Sequence, residues 1–141
     1  MSVMRGYYSL IQFCPDLSRL ETVNVGVVLL CPDAGFLAAR TSANNNRSQR
    51  IFGRENVDGP RLNAAKAAIE ARLRKDAAAL RSLDDLKQFI ATRANDLILT
   101  PPRSLKVVSP KQDLERLFRE LVGGRSLHER REPLVPPTYP N

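Results

Sequence analysis

The sequence predicts an α+β domain: an antiparallel β-meander with helices packed on one face. Three observations point there. Two strand-like apolar runs and a shorter third follow one another within the first forty residues, separated by turn residues. Two stretches with apolar spacing of three and four come next. A last helical stretch is then opened by Ser-Pro and closed by Gly-Gly. A chain of 141 residues with 43% apolar and 26% charged residues is long enough to bury one core without disulfide staples. Residues 1–124 are expected to form that domain, and 125–141, rich in proline, a flexible C-terminal tail unsuited to building core.

Tyr7-Tyr8-Ser9-Leu10-Ile11-Gln12-Phe13 is rich in aromatic and branched types and bounded by Gly6 and Pro15, which predicts a first strand over 7–13. Val23 to Cys31 predicts a second, whose near-continuous apolar character asks for burial on both of its faces. Pro32-Asp33-Ala34-Gly35 supplies turn chemistry before a third strand over 36–41. Residues 41–57 are polar and asparagine-rich and predict a mobile loop, with Ile51 and Phe52 pinning its far end to the core.

Asp58-Gly59-Pro60 announces a helix, because proline in the first turn forfeits an N–H that would have no partner there anyway. Leu62, Ala65, Ile69, Leu73, Ala77 and Leu80 then form one stripe over 60–81, with Lys66, Arg74, Asp76 and Arg81 assigned to the opposite face. Ser82 and Asp85 approximate a capping box opening a helix over 83–95, so that the two helices make an αα-hairpin. Residues 96–100 and 105–108 are strand candidates, one of which should join the sheet. Ser109-Pro110-Lys111-Gln112 reads as a capping box, Leu114, Leu117, Phe118, Leu121 and Val122 as an apolar stripe over 110–122, and Gly123-Gly124 as a left-handed stop.

The net charge of +7 admits an acidic partner, but the excess is spread along the chain. Cys14 and Cys31 should lie at opposite ends of the first hairpin, too far apart for a disulfide and without metal-ligand spacing, which fits a reducing, cytoplasmic setting. No run approaches the ~20 apolar residues of a membrane span, so no membrane partner is expected. No phosphate-binding loop, dinucleotide fingerprint or nucleophile elbow occurs, His128 stands alone in the tail, and no catalytic residue, metal ligand set or cofactor is assigned.

One polar constellation stands between buried strands: Asp16, Arg19, Glu21 and Asn24, with Arg40 at the end of the third strand. It forms the candidate binding set. Its carboxylates could serve a metal-dependent enzyme through Asp16 and Glu21. The plainer account spends Asp16 on its own turn, Arg19 on a carboxylate and Asn24 on backbone groups. A nucleic-acid reading uses Arg47, Arg50 and Arg54 with Arg72, Arg74 and Lys75, and Tyr7 or Tyr8 as a stacking surface.

Tyr7–Phe13, Pro15-Asp16, Arg19, Glu21, Val23–Leu29, Gly35-Phe36-Leu37 and Arg40, together with the Asp113–Val122 helix, resemble a bacterial family catalogued as domain of unknown function 3037. The resemblance brings no activity with it. It implies a small accessory protein encoded beside a HipA-like kinase. The leading expectation is therefore an interaction module that binds a partner protein, which the resemblance implies to be such a kinase, through residues 14–22 and the tail. Nucleic-acid binding and metal-dependent catalysis are the alternatives.

Overall fold

The computed structural model describes residues 3–16, 18–79, 81–91 and 97–123; the tail with His128, as well as Leu80 and residues 92–96, lies outside them. Strands β1 (Met4–Phe13), β2 (Val23–Cys31) and β3 (Phe36–Thr41) form the antiparallel meander. A 3-10 turn over Pro32–Ala34 joins the last two, and Gly35, at φ +60°, supplies the left-handed step that ends it. Both later strand candidates join the sheet. Strands β4 (Leu97–Leu99) and β5 (Arg103–Val107) lie end to end along the other side of β1, pairing with Ile11–Phe13 and Met4–Tyr8 respectively. Thr100 bridges them: its backbone N–H donates to Leu10 O at 2.9 Å and its hydroxyl accepts from Leu10 N at 2.8 Å. The buried Ser9 hydroxyl donates to Thr100 O.

Among the described residues there are four helices: α1 (Asn46–Phe52), α2 (Gly59–Asp76), α3 (Leu83–Ala91) and α4 (Pro110–Leu121). The α+β class is as read from the sequence, but the helices cover both faces of the sheet. Helices α2 and α3 pack with Ile11, Phe13, Val25, Val28 and Leu30, whereas α4 packs with Val27, Leu29 and Cys31. The cause is in β2 itself. Alternate residues of a strand point to opposite sides, so a near-continuous apolar run needs a cover on each.

Asp58 caps α2 by accepting from Arg61 N at 3.1 Å. The Ser82–Asp85 box closes reciprocally, each backbone N–H reaching the other side chain at 3.2 Å. At α4 the box differs from the expected one. Ser109 makes no side-chain cap, and it is Asp113, not Gln112, that accepts from Val108 N and Ser109 N, at 2.9 and 3.2 Å. These bonds and Arg116 outweigh the cost of partial burial and hold the Asp113 carboxyl below the usual range. Gly123, at φ +80°, ends α4 as expected, its N–H and that of Val122 both returning to Phe118 O.

Three further expectations are corrected. Residues 41–57 are not a loop throughout: α1 and a 3-10 turn over Arg54–Asn56 occupy much of the stretch. The α2 helix ends at Asp76, leaving Ala77 exposed beyond the apolar stripe. Lys66, assigned to the solvent face, is 1% exposed. Both cysteines are free and buried, and among the described residues no helix is long and apolar enough to cross a membrane.

Candidate functional site

The sequence-predicted candidates separate into three places. Asp16, Arg19 and Glu21 share one cleft, of about 310 Å³, whose other walls are Pro15, Ile51, Phe52 and Asn56. The loop between β1 and β2 builds one wall and α1 the other. Asp16 organises the loop: one carboxylate oxygen accepts from the Ser18 hydroxyl at 2.6 Å and from Ser18 N at 3.0 Å, bonds that hold its pKa below the ordinary value. Arg19 pairs with Glu21 at 2.7 Å, with side chains 70% and 55% exposed. An exposed pair of this kind contributes little to stability, ~0–1 kcal/mol. Leu20 between them adopts φ +53°, a conformation a branched side chain rarely takes, and is 72% exposed. Across the cleft Ile51 is 52% exposed, against the expectation that it pins the loop. Phe52 does reach the core, meeting Phe13 edge to face at 5.7 Å.

Asn24 points elsewhere because of a β-bulge. Ile11 pairs with Gly26 but Gln12 pairs with Asn24, so Val25 is an extra residue on β2. By simple alternation Asn24 would share the face of Val28 and Leu30, which pack against α2 and α3. The inserted residue turns it to the α4 face. There its amide accepts from Gln12 Nε2 at 2.8 Å and donates to Leu121 O at 3.1 Å, one of the carbonyls a helix end leaves without a partner. Arg47 Nη1 takes the next carbonyl, Val122 O, at 2.8 Å. Arg40 also faces α4, pairing with Glu115 at 2.6 Å with both side chains largely covered. Asn24 and Arg40 thus bind α4 to the sheet and do not line the cleft.

Arg47, Arg50 and Arg54 come together beside α1. A concavity of about 450 Å³ is lined by Asn24, Ser42, Asn44, Asn46, Arg47 and Arg50, among others, and one of about 360 Å³ by Asn46, Gln49, Arg50 and Arg54. Arg72, Arg74 and Lys75 line neither. Arg72 lies over the Phe89 ring at 5.0 Å, and Tyr7 and Tyr8 pack against the two cores, away from any stacking role here.

Composition and spacing alone hid the group that holds this region. Lys66 reaches from α2 under the asparagine-rich stretch and shares its three N–H donors among four acceptors, Ser42 O at 3.1 Å, Ser42 Oγ at 2.8 Å, Asn44 O at 3.2 Å and Asn45 Oδ1 at 2.7 Å. Burial lowers its pKa to about 8, against the opposing pull of Glu70. Glu70, also buried, accepts from the Thr41 hydroxyl. Asn45 turns its amide N–H to Asn63 at 3.0 Å. The sequence signal was Lys66 set directly beside Ala65 on the stripe, with amide-rich residues elsewhere in need of donors.

Among the described residues no group of three or more His, Cys, Asp or Glu side chains converges as a set of metal ligands. Neither a search of curated proteins nor one of solved structures returns a match. The profile of the family described as "Protein of unknown function (DUF3037)" matches residues 8–122, which take in the meander, both surfaces beside α1 and helix α4, so the chain belongs to this family.

Proposed function

We propose that the chain is a cytoplasmic interaction module that binds a partner protein, a HipA-like kinase, at the cleft between the β1–β2 loop and α1. The carrying observation is a cleft lined by Ile51, 52% exposed, together with the Arg19–Glu21 pair, and by a loop that carries Leu20, 72% exposed, between those two charged residues. Interfaces put their energy into a few apolar anchors that become fully desolvated, with charged groups at the rim selecting the partner. Leu20 and Ile51 supply the anchors. Arg19, Glu21 and Asp16 supply a rim of both signs, suited to a protein surface more than to a uniformly charged ligand. The backbone at Leu20 is held in its uncommon conformation by a loop whose turn Asp16 already closes, so the anchor is presented with little ordering left to do. The kinase is the partner the family resemblance implies, through gene proximity.

The test is binding of the purified chain to the HipA-like kinase encoded beside it. Leu20→Asp and Ile51→Asp alter exposed side chains and should leave the fold intact by circular dichroism, yet each should weaken the complex at least tenfold, about 1.4 kcal/mol. Absence of a complex, or a complex indifferent to both substitutions, overturns the proposal.

A further inference from the structure

We infer that the groove on the other side of α1, lined by Arg47, Arg50 and Arg54 with Asn44, Asn46 and Gln49, binds the phosphodiester backbone of a single-stranded nucleic acid. Arg47 and Arg50 are one turn apart on α1, and the turn that begins at Arg54 after Gly53 brings this third arginine beside Arg50 in a shared concavity. The two concavities they line share Asn46 and Arg50, so they adjoin along a shallow trough divided by these two side chains, and neither lining includes Asp or Glu. Arg50 and Arg54 are exposed and make no ion pair with any described residue. The nearest carboxylate in sequence, Glu55, lies against Gly53. Arg47 spends one N–H on Val122 O, which fixes its position and leaves most of the guanidinium's five donors unspent.

The trough is also braced from below. The Lys66 ammonium holds Ser42, Asn44 and Asn45, which lead directly into α1. Guanidinium groups match phosphate oxygens in pairs, and side-chain amides and hydroxyls serve as further donors to them. Arg47 and Arg54 line different concavities with Arg50 common to both, an arrangement that suits successive phosphates better than one compact anion. No aromatic residue lines either concavity, so no base would stack there, and the strand would be held by its backbone with little sequence preference.

The test measures fluorescence anisotropy of a labelled oligouridylate of roughly a dozen nucleotides against salt concentration. Each lost single-strand phosphate contact changes the slope of log affinity on log salt by about 0.7. Arg50→Gln with Arg54→Gln should therefore flatten the slope by about 1.4, and the charge-matched pair Arg103→Gln with Lys106→Gln, on exposed positions of β5, should leave it unchanged. Salt-independent or undetectable binding by the wild-type chain overturns the inference. So do equal losses in both double variants, which would mean a smeared charge effect, and displacement of the strand by inorganic tripolyphosphate at equal phosphate concentration, which would mean a compact anion site. A duplex of the same length binding as tightly would overturn the single-strand assignment. The kinase-binding test reads a different surface, so either result stands without the other.

Discussion

Replacing Lys66 by methionine sets two large effects against each other, and their magnitudes decide the sign. The substitution releases the burial penalty that brings the ammonium's pKa from 10.5 down to about 8, which is about 3 kcal/mol at about 1.4 kcal/mol per tenfold. Against this, Ser42 O, Ser42 Oγ and Asn45 Oδ1 lose a charged donor, at about 1.5–3 kcal/mol each. Asn44, being exposed, can turn to water instead. The buried Glu70 carboxylate also loses the cation one turn away and keeps only the Thr41 hydroxyl. The losses win, and Lys66→Met should lower the unfolding free energy by about 2–5 kcal/mol. Urea denaturation at neutral pH gives that difference. Hydrogen exchange should show protection lost first over residues 42–52, since without Lys66 the segment keeps the Asn45–Asn63 bond to α2 but loses every bond the ammonium makes to it. Adding Glu70→Gln should recover part of the loss, because an amide costs less to bury than an unpaired carboxylate. A Lys66→Met protein as stable as the wild type, with 42–52 still protected, would show that desolvation outweighs the four bonds and would refute the bracing role.

The same lysine gives a pH signature. Below about pH 8 Lys66 is protonated whether folded or not; between about 8 and 10.5 the unfolded chain keeps a proton the folded chain has released, so stability should rise with pH across that window. The wild type minus Lys66→Met difference isolates it, cancelling the opposite trend from Cys31, whose thiol burial pushes up to about 11. Asn24→Ala removes the bonds to Gln12 and Leu121 and should cost about 1–3 kcal/mol, read as a lower denaturant midpoint with faster exchange at the end of α4. Gly26→Ala would place a methyl 2.8 Å from Arg40 O and 3.0 Å from Ile11 Cδ1 in the sheet centre, so a loss of about 1–3 kcal/mol is expected by calorimetry.

What the sequence by itself determined is local. Strand alternation, proline at helix starts, Asp58 and the Ser82–Asp85 box, and Gly123 at the end of α4 each depend on neighbours within a few residues, and those elements stand where the pattern puts them. The exception is β1, which runs through Gly6 back to Met4 because β5 pairs with that end. The double-sided burial of β2 was also legible in its near-continuous apolar run, although which helix covers which side was not. The candidate site was legible only in part. Asp16, Arg19 and Glu21 belong to one short loop and stay together, whereas Asn24 lies three residues further on and leaves them, because a single extra residue in the strand turns it to the other face. Lys66 was misplaced for a related reason. On a helix rich in alanine the edge of the apolar stripe is ambiguous, and only the packing of α2 against residues 42–45 supplied the four acceptors that make a buried ammonium tolerable. Tertiary structure alone set α1 against the β1–β2 loop on one side and against residues 42–44 and the end of α4 on the other, because contacts between residues far apart in the chain follow from the closing of the core and not from any local preference.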